Sequence, residues 1–351
     1  MAESRTVVYV SNAESKTISI FELDAGRGSL RPVDTADVPG TDEPSPISMP
    51  LAVSPDRRFL YAALRSAPYP VASFAIDARS GCLTHLATAL LPDAMPYILT
   101  DGTGRYLFSA SYHGAKLAVS AIGPDGAVHG PALQIVPTPP KAHCVVIDAS
   151  NRFLYAASLG GDVVLQQTFD VASGRMTPND PPVLNVRPGA GPRHLVFHPN
   201  GRFVYLINEL DATIDACAVD PRSGTLRNVQ MVAMLPPDYP EKPSAADIHV
   251  TPDGRFLYAS ERASNTIAGF SIEAETGALS PIGSVETEPA PRGFNIDPSG
   301  RLLLAVGQTS HKMSLYSIDA QSGRLTKIGQ CPMGTNPNWV EIIDLPRTVG
   351  A

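Results

Sequence analysis

The sequence has no run approaching 18 apolar residues, so no membrane-spanning helix is expected. It also lacks a basic excess. A formal charge of −7 disfavours nucleic acid and anionic membrane as partners, and an anionic ligand would need a local basic pocket. Cysteine is scarce: Cys82, Cys144, Cys217 and Cys331 lie far apart with no CxxC pair, and MAESRTVVYV has no long apolar core ahead of a small-residue site. Reduced, mostly buried thiols and a cytoplasmic location are expected. HxH, HExxH and acidic calcium-loop spacings are missing, so neither a metal nor a cofactor is expected.

Proline and glycine, at 34 and 28 residues, are plentiful and punctuate many short apolar runs. Two motifs alternate along the chain. The first is a turn, an Arg and an aliphatic-aromatic run, as in SPDRRFLYAA, DGTGRYLFSA, DASNRFLYAA, HPNGRFVYLI, TPDGRFLYAS and DPSGRLLLAV. Its arginines (58, 105, 152, 202, 255 and 301) step by 46 to 53 residues, and RTVVYVSNA at Arg5 is a worn seventh copy. The second motif is an acidic-led turn with Gly before an apolar residue, from DAGRGSL to DAQSGRL, and occurs seven times between the others.

Four strands at a period near 50 define a propeller blade, so the chain is expected to be all-β. Residues 1–351 are expected to form a single seven-bladed β-propeller with four antiparallel strands per blade. GTNPNWVEIIDLP resembles an innermost strand without its successor, and the N-terminus begins with that successor. Trp339 to Ile342 should therefore pair beside residues 6 to 10 and close the ring. Pro-rich insertions at Thr35 to Met49 and Met234 to Ala245 read as loops. The repeated Asp, Gly and Arg residues read as turn chemistry.

Aligning the blades on the inner turn places Met49, Pro96, His143, Arg193, Ala246 and Arg292 at one position, and Pro50, Tyr97, Cys144, His194, Asp247 and Gly293 at the next. Both begin the innermost strand. The second strand returns antiparallel, so Arg65, Tyr112, Leu159, Glu209, Arg262 and Gln308 beyond its end lie at the same face. His143, Arg193, His194, Asp247, Arg292, Glu209, Arg65 and Arg262 thus converge on one mouth of the axial channel. Such grouping leaves spare positive charge unless every cation is paired. A bland version is a wet mouth laced by Arg193–Glu209 and Arg262–Asp247 pairs. Several blades could still assemble a metal set, for example Glu209 with Asn295 and Asp247.

The stretches GAGPRHLVFHPNG, NELDATID, AADIHVTPDGRFLYASER, PRGFNIDPSG and GQTSHKMSLY run in order over nearly the whole chain. They resemble the seven-bladed lactonase family of propeller-type bacterial 6-phosphogluconolactonases and fungal carboxy-muconate cyclases. The resemblance implies opening of a sugar δ-lactone without a required metal, with site residues at His143, Arg193, Glu209 and either Arg262 or Arg292. Pro44 to Met49 and ALRSAPYP depart from the family pattern, at the end of the site that would hold a phosphate.

His143 suits a general base, Arg193 or Arg292 an oxyanion donor, and Glu209 either a holder of arginine or an acid for the leaving alkoxide. His194, Asp247, Arg262, Arg65, Gln308 and His311 are the substrate-binding candidates, the arginines offering forked donors to phosphate or carboxylate. The expected partner is a small anionic lactone, most simply 6-phosphogluconolactone, bound by a monomer or weak homo-oligomer. A dicarboxylate lactonase or cycloisomerase, and a non-catalytic binding scaffold, are the other readings.

Overall fold

The structure, a computed structural model, describes residues 5–43 and 47–345. Within them 28 strands form seven four-stranded antiparallel sheets arranged as the blades of a propeller. Blade 1 contains Thr6–Asn12, Thr17–Asp24 and Ser29–Asp37, and takes its innermost strand, Pro337–Asp344, from the other end of the chain. The innermost strands of blades 2 to 7 are Leu51–Val53, Tyr97–Thr100, Ala142–Ile147, Pro192–Phe197, Ala245–Val250 and Pro291–Ile296. Each touches the next around the axis, and Pro337–Asp344 completes the circle. Closure follows the expected register, with Val8 opposite Ile342 and Val10 opposite Val340.

Sequence pattern dictates depth. Second strands such as Phe153–Ser158 are apolar on both faces and wholly buried, whereas outer strands such as Leu83–Leu90 are largely exposed. Seven apolar clusters fill the gaps between adjacent blades, so the core is a ring of interfaces. The turn glycines of the second motif do more than permit a turn. Tyr9, Tyr155, Tyr205 and Tyr258 donate their hydroxyls to the carbonyls of Gly81, Gly224, Gly277 and Gly323 on the following blade, at 2.6 to 3.0 Å. Gly224 also has φ +68°, and a Cβ there would lie 2.1 Å from the Phe153 ring. The glycine is required by its backbone and by its neighbour.

The first insertion is shorter than the composition implies. The outer strand of blade 1 runs to Asp37, so its loop starts at Val38, and residues 44–46 of the departure at Pro44 to Met49 lie outside the described residues. The second insertion is a loop from Met234 to Ser244, with Ala245 opening the next strand. First-motif turns and second-motif turns share one face, leaving the starts of the innermost strands at the opposite mouth.

Candidate functional site

Three site residues occupy the same local irregularity. In blade 4 Ala142 pairs with Ser158 and Cys144 with Ala157, leaving His143 as an extra residue between them. Arg193 in blade 5 and Arg292 in blade 7 stand in identical β-bulges, and blade 6 is disrupted between Ala245 and Ile248, around Ala246 and Asp247. A bulge lets two successive side chains leave the alternation of the pleat. Arg193 and His194 can therefore both serve the mouth although they are neighbours in a strand.

Arg193 is the largest side chain buried to within 2% of complete, at 1% exposed. Its Nε donates to Glu209 Oε2 at 2.8 Å, and its Nη1 donates to the carbonyl of Ala246. Glu209 Oε1 faces Arg262 Nη2 at 3.1 Å, so one carboxylate bridges two guanidinium groups. Burial works against the Glu209 charge, but Arg193 and Arg262 outweigh it and hold the carboxyl below its usual range. Burial and the Arg262 charge bring Arg193 down to about 10. Glu209 thus stands as a carboxylate held between two guanidinium groups.

The anticipated Arg262–Asp247 pair does not form. Arg262 turns to Glu209 and donates from Nε to the Ser244 carbonyl at 3.0 Å, while Asp247 lies deeper and serves two imidazoles. Asp247 Oδ1 is 2.9 Å from His194 Nδ1, and Oδ2 is 3.2 Å from His249 Nε2. An ionised Asp247 requires the proton of His194 on Nδ1, so Nε2 is the acceptor for Arg193 Nη1–H at 3.1 Å. Burial, then Arg193, lower His194 to about 4. Both of its nitrogens are engaged by the protein, so it braces Arg193 while its ring lines the central cavity.

His143 differs from its neighbour. Its ring centroid lies 5.1 Å from that of His194, but its buried Nδ1 has no partner among the described residues. Burial and the charges of Arg193, Arg292 and Arg65 hold its pKa well below 6.5, so the imidazole is neutral. Arg292 donates to no described residue, and burial together with Arg193, Arg262 and Arg65 depresses its pKa. Arg65 reaches Ser48 Oγ through Nη1 at 3.2 Å, with a buried Nε that has no described partner. The mouth therefore holds four arginines against the single bridging carboxylate of Glu209.

Two candidates engage the closing segment. Gln308 donates to Asn336 Oδ1 at 2.8 Å, in an amide network that continues to Asn338, and exposed His311 accepts the Asn336 N–H at 3.1 Å. The Glu209, Asn295 and Asp247 set does not assemble either, because arginines occupy Glu209 and Asn295 donates to the Val340 carbonyl at 2.9 Å. Among the described residues no three His, Cys, Asp or Glu side chains are grouped to hold a metal ion.

Sequence reasoning missed the floor of the site. Tyr97, His194 and Trp339 meet edge-on or tilted with centroids 5.2 to 6.1 Å apart. Beneath them a cavity of about 280 Å³ is lined by Asp247, His249, Asn295 and Glu341 with apolar partners. Burial pushes Glu341 up to about 7 while its Oε1 accepts from Trp339 Nε1 at 2.8 Å. Trp339 stands at the blade position of His194, and Glu341 and His249 two residues further along their strands. The alignment that located the mouth would have found them if carried to the closing blade and one tier deeper.

Fold and site together define a seven-bladed propeller with a histidine and an excess of arginines at one mouth of its channel. The family model for the seven-bladed β-propeller lactonases matches residues 7–342, and the chain belongs to that family. It is 39% identical over 340 residues to a 6-phosphogluconolactonase of Serratia proteamaculans, covering 97% of this chain and 99% of the relative. A 6-phosphogluconolactonase of Pectobacterium carotovorum is 39% identical over 289 residues, covering 82% and 83%. Among solved structures, the periplasmic gluconolactonase of Pseudomonas aeruginosa superposes with a TM-score of 0.88 at 26% identity, covering 98% of this chain and all of that one.

Proposed function

We propose that the protein hydrolyses the ring ester of a phosphorylated sugar lactone, 6-phosphogluconolactone. The observation that carries this reading is the unpaired Arg292 guanidinium beside a neutral His143, in a mouth already rich in arginine. His143 takes a proton from water as the water oxygen adds to the lactone carbonyl. The oxygen that becomes negative is met by Arg292 and by Nη2 of Arg193, whose Nε and Nη1 are held by the protein, a single such donor contributing about 10²- to 10³-fold in rate. The bond from the carbonyl carbon to the ring oxygen then breaks, and the His143 imidazolium returns the proton to that oxygen. Water and ester become a hydroxy acid, which ionises to the carboxylate.

Glu209, His194 and Asp247 act through Arg193 by fixing its plane, and fixed donors need not reorganise as charge develops. Arg65 and Arg262 supply the charge for the phosphate. A cytoplasmic location is part of the proposal, supported by four unpaired cysteines; recovery in a periplasmic fraction would refute it.

The test compares 6-phosphogluconolactone, glucono-δ-lactone and a dicarboxylate lactone under proton-release conditions with spontaneous opening subtracted. Preference for the phosphorylated substrate is expected. Preference for the dicarboxylate would move the assignment to that class, and no acceleration of any lactone would leave a binding scaffold.

A further inference from the structure

The seven outer strands end in edges with no fifth strand. Such edges pair with foreign strands unless charge, proline or distortion guards them. Six carry a guard: charged residues in blades 1, 4, 5, 6 and 7, among them Asp34, Arg175, Arg227, Glu286 and Lys327, and Pro131 with Pro137 in blade 3. The outer strand of blade 2, Leu83–Leu90 with sequence LTHLATAL, has no Asp, Glu, Lys, Arg, Pro or Gly.

Apolar exposure concentrates at the same place. Leu86 and Leu90 are 41% and 56% exposed, and on the adjoining outer strand of blade 3, Val128–Pro137, Leu133 and Ile135 are 45% and 52% exposed. That second strand is also free of Asp, Glu, Lys and Arg. Between the two runs lies a groove of about 580 Å³, lined by Ala87, Ala89, Leu90 and Pro131, with Asp125 and His129 as its charged or titratable members.

We propose that this rim is a homodimer interface, in which Leu83–Leu90 of one copy pairs antiparallel with the same strand of a second copy. Two features select a second copy. An edge strand meeting itself across a twofold axis satisfies both sets of free N–H and C=O groups with one surface. A chain of charge −7 repels its own kind, and these two strands carry no Asp or Glu of their own, Asp125 being the one carboxylate in the groove between them. The joined blades make a continuous eight-stranded sheet, with Leu133 and Ile135 packing beside the new pair. The inference stands independently of the catalytic reading, since the rim and the mouth are at opposite radii.

Sedimentation equilibrium of the full chain between roughly 1 and 100 µM tests it. The wild type is expected to approach twice the 37.1 kDa chain mass within that range. Leu86→Lys with Leu90→Lys, which gives blade 2 the guard that Lys327 provides in blade 7, should weaken association at least about tenfold. Ile135→Lys should weaken it as well and carries the test if the double variant fails to melt cooperatively. Met231→Lys, on an exposed apolar position of the guarded blade 5 strand, should leave association unchanged. A wild type that stays monomeric at the highest concentration overturns the proposal, as does a dimer unmoved by the first two variants or weakened equally by Met231→Lys.

Discussion

His143 and His194 stand on adjacent innermost strands with their rings 5.1 Å apart, yet only His194 is spent on the protein. His194 lies between Asp247 and Arg193, while His143 keeps an unpartnered nitrogen among cations. Alike in residue type and depth, they are divided between support and chemistry by their partners.

His143→Gln is expected to lower kcat about 10²- to 10⁴-fold with little change in KM. The pH profile carries the sharper expectation. Burial and the surrounding arginines keep the free-enzyme imidazole well below 6.5, so kcat/KM should stay flat down through pH 6.5 and fall only in more acid solution. A bound phosphate offsets the arginines, so the acid limb of kcat should lie above that of kcat/KM. Coincident limbs would remove His143 as the base.

Arg292→Met should separate activity from stability. Losing a donor at the reacting oxygen costs about 10²-fold or more in kcat. The same change relieves the crowding of Arg292 with Arg193, Arg262 and Arg65, and a thermal melt should rise by roughly 1–3 °C. A variant that loses both activity and stability would show Arg292 to be structural.

Glu209→Gln leaves Arg193 buried without its counter-charge, and an unfolding cost of about 3 kcal/mol is expected. Arg193 loses its fixed plane, so kcat should fall about 10²-fold and KM should rise, whereas His143→Gln alters kcat alone. Because the folded carboxyl lies below its ordinary 4.5, its stabilisation is complete above that value and is lost as pH falls through the folded value. Acid unfolding of Glu209→Gln should accordingly be less steep than that of the wild type.

Glu341 has the opposite sign. Burial raises it from 4.5 to about 7, so between those values the folded protein keeps a proton that the unfolded chain has released. Stability falls as pH rises through that window, and the penalty is complete above 7. Glu341→Gln should melt higher than the wild type at pH 8 and about equally at pH 4. Equal melting temperatures at both pH values would contradict it.

The blade count, the closing strand and the mouth were legible because repeats report register: a residue counted from a turn has its tier and face assigned before any contact is known. Partners are not encoded that way. Arg262 could be placed beside both Glu209 and Asp247, and choosing between them needs the depth of one residue, which the disrupted pairing before Ile248 alters. The bulges at His143, Arg193 and Arg292 were hidden because an extra residue opposite one partner leaves the count from the turn intact. Gln308 obeyed the count and His311 stood outside it, and both are bonded to Asn336, on the closing segment that the alignment did not reach.

Trp339, which helps floor the mouth, sits on the strand Pro337–Asp344 that pairs with Thr6–Asn12 and closes the ring. Separating Pro337–Asp344 from Thr6–Asn12 would open the ring and the base of the pocket together, so closure of the circle and the shape of the floor are one property of the fold.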